Sequence, residues 1–377
     1  MVSNNIHIYP STFKNESRIL RETKSLAEFG LFDKIFIAAM WERGLKEYED
    51  LDERRKVWRV RLKTATLPNS NLGKIIKHIE WSFRIFFRFK NESITFINCH
   101  SLSTLPLGAI LKMFVKAKLI YDAHELETET MALYGIRKIL SKILERIFIY
   151  YTDQVIVVSH SIAKWYQNTY YLNNIHVIRN FPYRLDGEGN FPNVLRIDLN
   201  IRDDEMIFIY QGVLSRGRGI ELLLNVFSEL DKKRHVVFMG YGILEDIVKE
   251  YANNYSNIHF WPAVKPNEII RYTMCADIGI CLINNICLSY YYALPNKLFE
   301  YITSGLPVVV SDFPEMRKII DDYKCGWKVL VDKKLLKALM ENISWKEIEG
   351  KKCNVLKCRP RFCWEKEAGK LLHVYLG

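Results

Sequence analysis

The chain is short of the patterns that mark several common functions. Its eight cysteines form no C-x-x-C pair with partner histidines: Cys275, Cys281 and Cys287 lie in or beside an apolar segment, and Cys353, Cys358 and Cys363 in a basic tail. Zinc is therefore not expected, and the thiols read as reduced and structural, as in a cytosolic protein. No apolar run is long enough and free enough of charge to span a bilayer. The opening MVSNNIHIYP enters a strand-like segment without a basic leader or a small-residue cleavage site, so no signal peptide is expected. Internal repeats and low-complexity tracts are missing. The Gly-rich turn at 212–219 follows neither G-x-G-x-x-G nor a Walker loop, which argues against a dinucleotide enzyme or a P-loop NTPase.

What is present is a chain able to fold throughout. With 377 residues, 49% of them hydrophobic, it can bury two sizeable cores. The net charge of +11 attracts something anionic: nucleic acid, anionic lipid or a nucleoside diphosphate. Nucleic acid is disfavoured because the basic residues are interspersed with acidic ones and no RNA-stacking motif occurs.

Short β-branched or aromatic runs alternate with helical patterns, at 6–9, 34–39, 94–98, 118–121 and 154–158, and again at 206–211, 235–239, 277–282 and 307–310. Strands alternating with helices predict parallel α/β construction. The Pro-, Gly- and Asn-rich stretch 180–193 separates the two series, giving domains over 1–180 and 201–355, a linker over 181–200, and a final helix over 356–377 expected to pack back on the first domain. The fold expected is α/β, two doubly wound domains facing a central cleft, with chemistry on the loops at the carboxyl ends of the strands.

Three segments carry chemistry. In YQGVLSRGRG (210–219) an apolar strand runs through Gly212 into a turn bearing Arg216 and Arg218 and then a helix, a place for a phosphate or diphosphate. In ALPNKLFEYITSGLPVVVSD (293–312) Pro295 and Asn296 start a helix that sets Lys297 and Glu300 on one side, and Gly305 stops it. Lys297 would neutralise phosphate and Glu300 would accept hydrogen bonds from ribose hydroxyls; the alternative is a surface salt bridge. In KLIYDAHEL (118–126) a strand emits Asp122, His124 and Glu125, which would project into the cleft, and His100 follows the strand ending at Asn98. A D-x-D at Asp50 and Asp52 sits in a charged run and reads as a solvated face, so no metal site is expected.

These three motifs, in this order, resemble glycosyltransferase family 4 (group 1), the retaining GT-B glycosyltransferases, and the likeness runs from SRILRETKSLAEFG (17–30) to the closing Trp-bearing helix. The resemblance implies an N-terminal acceptor-binding and a C-terminal nucleotide-sugar-binding domain. It places Arg218 at the diphosphate-binding position, Glu300 at the ribose and His124 beside the donor sugar. It also places Gly240 and Gly242 near the nucleotide and Val264 and Lys265 near the base. Arg18, His100, Asp122 and Glu125 become acceptor-side candidates. The chain departs from the family at Val213, where an arginine is frequent, and at Tyr292, where a second glutamate is frequent; Lys297 is a substitute for the missing positive charge.

The implied activity is metal-independent, retaining hexosyl transfer from a nucleoside-diphosphate sugar to a hydroxyl of a glycan or lipid-linked saccharide, in surface polysaccharide biosynthesis and with no further cofactor. A GT-B nucleotide-sugar epimerase or hydrolase and a basic nucleic-acid-binding protein are the other readings. The expected location is cytoplasmic, peripheral on the inner face of the plasma membrane. Its motive is the aromatic and basic segment KIIKHIEWSFRIFFRFK (74–90), a candidate for an anionic membrane surface. A second segment, RKILSKILERIFIYY (137–151), is expected to bury its apolar side against the sheet.

Overall fold

The computed structural model describes residues 3–14, 16–185 and 192–376. The chain divides into two compact units: one runs to Arg179 and takes back the segment from Ala368, the other runs from Asn180 to Glu367.

The N-terminal unit contains strands β1 (Asn4–Ile8), β2 (Lys34–Met40), β3 (Tyr48–Asp50), β4 (Arg55–Val60), β5 (Ile94–Cys99), β6 (Lys118–Ala123), β7 (Gln154–Val157) and β8 (Ile175–Val177). Its helices are α1 (Ser17–Glu28), α2 (Asn71–Phe89), α3 (Leu105–Val115), α4 (Gly135–Phe148) and α5 (His160–Tyr170). The sheet order is β3-β4-β2-β1-β5-β6-β7-β8, parallel except for the edge hairpin β3–β4. That hairpin holds the D-x-D: Asp50 is exposed and Asp52 accepts from Arg55 Nε at 2.6 Å, as expected of a solvated turn.

The second unit contains α6 (Val194–Asp198), β9 (Met206–Val213), α7 (Ile220–Phe227), β10 (Arg234–Tyr241), α8 (Glu245–Asn254), β11 (Ile258–Pro262), α9 (Ile269–Thr273) and β12 (Ile278–Cys281). It continues with α10 (Leu288–Tyr291), α11 (Asn296–Thr303), β13 (Val308–Ser311), α12 (Pro314–Tyr323), β14 (Gly326–Val329), α13 (Lys333–Asn342) and α14 (Trp345–Cys358). The last helix, α15 (Trp364–Leu376), starts here and belongs to the first unit from Ala368 on. The sheet order β11-β10-β9-β12-β13-β14 is wholly parallel, and its apolar runs are buried on both faces, as helices on two sides require.

Several expectations need correcting. The linker is shorter than 181–200: Asn193 caps α6 through its side chain and Leu195 is fully buried in the second core, so this part is folded, while 186–191 lies outside the described residues. The basic tail, by contrast, is helical, as expected of a chain that folds throughout. Cys358 and Cys363 are buried, and only Cys353 of that trio is exposed. Tyr375 of α15 meets Phe32 and Phe96 at 5.7 and 5.1 Å and accepts from Asn98 Nδ2 at 2.7 Å, all within the first unit. The largest correction concerns α4, which turns Ile136, Ile139, Leu140, Ile143 and Ile147 to solvent rather than to the sheet.

Candidate active site

In the second unit the carboxyl ends of β9 and β10 meet through Gly212 and Gly240, which are paired in register. A Cβ on Gly240 would lie 1.9 Å from the Gly212 carbonyl oxygen, so no larger residue lets these strand ends close. The chain leaving β9 reaches α7 through Gly219, a left-handed N-cap at φ +75 whose added Cβ would strike Leu282 at 2.7 Å. Gly242, at φ +151, follows β10.

Lys297, in the first turn of α11, reaches back to this edge. Its ammonium lies 3.6 Å from the Tyr210 ring centroid, and 3.5 Å from where a Cβ on the exposed Gly212 would stand. Desolvation pushes the ammonium down to about 7, with Arg218 acting the same way and Cys281 and Glu300 opposing. The Arg218 guanidinium stacks over Tyr290 at 4.7 Å. Glu300 Oε2 accepts from Gln211 Nε2 at 2.6 Å, and Gln211 Oε1 accepts from the Thr273 hydroxyl at 2.5 Å. The backbone N–H of Gln211 donates to the Tyr301 hydroxyl, which donates to the Ile280 carbonyl. The carboxylate is thus aimed by a chain of hydrogen bonds beginning in the core.

The structure brings together Gly212, Arg218, Lys297 and Glu300 of the residues expected here. Arg216 and Asn296 are exposed on the adjoining turn and the start of α11. In the loop after β11, Val264 is half-buried against the core and Lys265 is exposed. Sequence reasoning missed Gln211, Thr273 and the tyrosines 210, 290 and 301. Gln211 closing an otherwise apolar strand was the available signal.

The first unit holds a buried ionic network. Arg18 of α1 grips Asp122 at the end of β6 with two hydrogen bonds of 2.8 and 2.7 Å and donates to the Ile178 carbonyl at 2.9 Å. Asp122 Oδ2 also lies 2.9 Å from His100 Nδ1 and 3.1 Å from His124 Nε2. Burial opposes ionisation of Asp122, but Arg18 first and then His124 and His100 hold its carboxyl well below the usual range. Because an ionised Asp122 only accepts, His100 donates from Nδ1 and accepts at Nε2 from His7 Nδ1, 2.7 Å away. Burial pushes His100 down to about 4 and His7 well below its ordinary value, so both are neutral at pH 7. Glu22, 3.1 Å from Arg18 Nε, is raised well above the carboxylate range by burial and by Asp122.

This geometry corrects three acceptor-side expectations. Arg18, His100 and Asp122 are buried and spend their polar atoms on one another, so none projects to meet a substrate. Of this group His124, whose side chain is 24% exposed, and the exposed Glu125 reach the surface. Asp122 instead orients the His124 ring, which also packs 5.5 Å from Tyr9. Two groups among the described residues bring metal-ligand atoms within 4.8 Å of one another: His7, Glu22 and His100, and His100, Asp122 and His124. Arg18 already occupies Asp122 in the second and puts a cation beside Glu22 in the first, and both ring nitrogens of His100 are engaged.

Two parallel-sheet α/β units, the second with a glycine-lined strand edge and clustered cations, define the GT-B class. The model of glycosyltransferase family 4 matches residues 19–181 and that of glycosyl transferases group 1 matches residues 193–358. The chain belongs to the group 1 glycosyltransferases. It is similar to an uncharacterized glycosyltransferase of Methanocaldococcus jannaschii, 23% identical over 236 residues, a match spanning 59% of this chain and 59% of that relative. Its fold is similar to sucrose-phosphate synthase from Thermosynechococcus elongatus, at TM-score 0.81 and 15% identity over 99% of this chain and 98% of the other. It is also similar to Anabaena HepE in complex with UDP-glucose, at TM-score 0.73 and 14% identity over 99% of each.

Proposed function

We propose that the chain transfers a hexosyl group from a nucleoside-diphosphate sugar to a hydroxyl of a glycan or lipid-linked saccharide, with retention and without a metal ion, in surface polysaccharide synthesis on the cytoplasmic side of the membrane. The observation that carries this reading is the Lys297 ammonium, desolvated above Tyr210 and beside Gly212, with Arg218 and an aimed Glu300 in the same cluster. A departing nucleoside diphosphate develops negative charge, and fixed cations with the amides opening α7 supply what a metal would otherwise supply. Glu300, held by Gln211, is oriented to take the two ribose hydroxyls. Binding of UDP-glucose by the similar Anabaena protein supports a nucleotide-sugar donor. His124, oriented by Asp122, is assigned to the reacting end of donor or acceptor. Since no carboxylate stands out as a covalent nucleophile, front-face attack by the acceptor hydroxyl is the step these residues fit.

Calorimetry with UDP, GDP, ADP and TDP tests the site. The best binder should lose about 1.5–3 kcal/mol of affinity in Glu300→Ala and in Arg218→Ala. Unchanged affinity in both variants defeats the assignment. Turnover should persist in excess EDTA; its abolition, with rescue by manganese, defeats the metal-free step. Products formed from donor alone would favour the epimerase or hydrolase reading.

A further inference from the structure

Helices α2, α3 and α4 cover one side of the N-terminal sheet with α3 packed against both neighbours, and Phe86 meets Phe114 edge to face at 4.8 Å. Each helix turns an apolar stripe outward. On α2 the buried stripe is Trp81, Ile85 and Phe89, while Leu72, Ile76, Ile79, Phe83 and Phe87 follow roughly the opposite side and are exposed. Exposed Ile110, Met113 and Phe114 continue the surface on α3.

The sense of α4 is the decisive feature. Its buried residue is Glu145, whose Oε1 accepts from the hydroxyls of Tyr121 and Tyr166 at 3.2 and 2.7 Å and whose Oε2 accepts from Tyr170 at 2.8 Å. Its isoleucines and Leu140 meanwhile keep half or more of their surface in water, from 50% at Ile143 to 73% at Ile136. A helix that hydrogen-bonds a glutamate inward and holds five aliphatic side chains outward is built for an apolar partner on its outer side.

We propose that the outer face of α2, α3 and α4 seats the enzyme on an anionic lipid bilayer. Charge selects that occupant over a second copy of the chain. The three helices carry nine Lys and Arg and only two acids, Glu80 and Glu145. Glu145 is buried, and Glu80 is taken by Arg84 and by the amides of Lys63 and Thr64. Arg88, Lys112, Lys138 and Lys142 pair with Glu92, Asp153 and Glu129 beside the helices, which leaves Lys74, Lys77, Arg137 and Arg146 as the cations of this face with no ion pair among the described residues. Two copies pressed together here would bring like charges into contact. A bilayer instead takes the apolar stripes at the acyl boundary and the basic side chains at its headgroups. Tyr134, Tyr150 and Tyr151, exposed at the ends of α4, suit the interface between the two. The inference rests on the proposed function for its purpose, meeting a lipid-linked acceptor, but its test is independent of the donor site.

The test is flotation of the full chain with vesicles of phosphatidylcholine alone or mixed with phosphatidylglycerol. The protein should float with the anionic vesicles and lose binding as salt rises. Arg137→Glu with Arg146→Glu should lower the partition about tenfold or more, since each basic residue near the surface contributes on the order of a fivefold factor. Phe83→Ser with Ile143→Ser, both at exposed positions, should lower it similarly. A chain that stays at the bottom with both vesicles, or variants that float like the parent, overturns the proposal. So does a stable dimer in sedimentation equilibrium that Phe83→Ser with Ile143→Ser dissociates. Nucleotide binding is read separately in the same variants: a failed surface leaves it intact, and a failed donor site leaves flotation intact.

Discussion

The two units bury charge to opposite ends. In the first, Arg18, Asp122, His100 and His7 are linked in a fixed order of donors and acceptors, and His124, bonded to the same Asp122, reaches the surface as a partly buried side chain. In the second, Lys297 and Arg218 lie on tyrosine faces, beside a carboxylate that is itself held by a glutamine. The first arrangement engages both oxygens of the Asp122 carboxylate and fixes the direction of one ring, while His7 Nε2 is left buried without a hydrogen-bond partner among the described residues. The second keeps cations in place at a desolvation cost, which is how a site receives an anion.

Breaking the buried network should have the larger effect. Arg18→Ala leaves Asp122 ionised, buried and without its bidentate partner, which typically costs about 3–5 kcal/mol. Urea titration followed by hydrogen exchange should show the first unit opening at lower denaturant while the protection of β9 and β10 is kept. Equal protection in both units would make the network incidental.

His124→Ala separates the orienting role from a structural one. The variant should bind nucleotide like the parent and lose about a hundredfold in kcat, the scale of a lost positioned acid, base or transition-state donor. Equal kcat in parent and variant would reduce His124 to a packing residue.

The contrast between the units was only partly legible in the sequence. Parallel architecture follows from β-branched runs spaced by helices, and the start of α11 at Pro295 and its stop at Gly305 follow from local backbone chemistry, which neighbours in sequence decide. Side-chain direction at a strand end is decided elsewhere: Asp122 turns inward because Arg18, 104 positions earlier, waits for it. The sense of α4 has the same origin. A stripe of isoleucines says that a helix has two sides, but which side faces the sheet is set by hydroxyls on Tyr121, Tyr166 and Tyr170 in other elements. Lys297 was legible as a cation near phosphate, yet its place over Tyr210 required the return of α11 to the end of β9.

That place gives the smallest and sharpest prediction, a proton taken up on binding. The folded Lys297 sits at about 7 against an ordinary 10.5, chiefly through desolvation. Between those values the unfolded chain holds the extra proton, so this residue makes stability rise with pH from about 7 to 10.5 and contributes no slope below 7. Donor binding reverses the balance. A diphosphate beside the ammonium favours its charged form and lifts its titration toward the ordinary value. At pH 8 only roughly a tenth of the unliganded sites are charged, so binding should draw nearly one proton per nucleotide from the buffer, and at pH 6 almost none. Affinity should accordingly fall as pH rises above 7, approaching tenfold per pH unit. Calorimetry in buffers of different ionisation enthalpy reads the uptake directly, and Lys297→Met should abolish it while leaving the fold intact. Uptake that survives in Lys297→Met would move the proton to another group and separate Lys297 from the diphosphate.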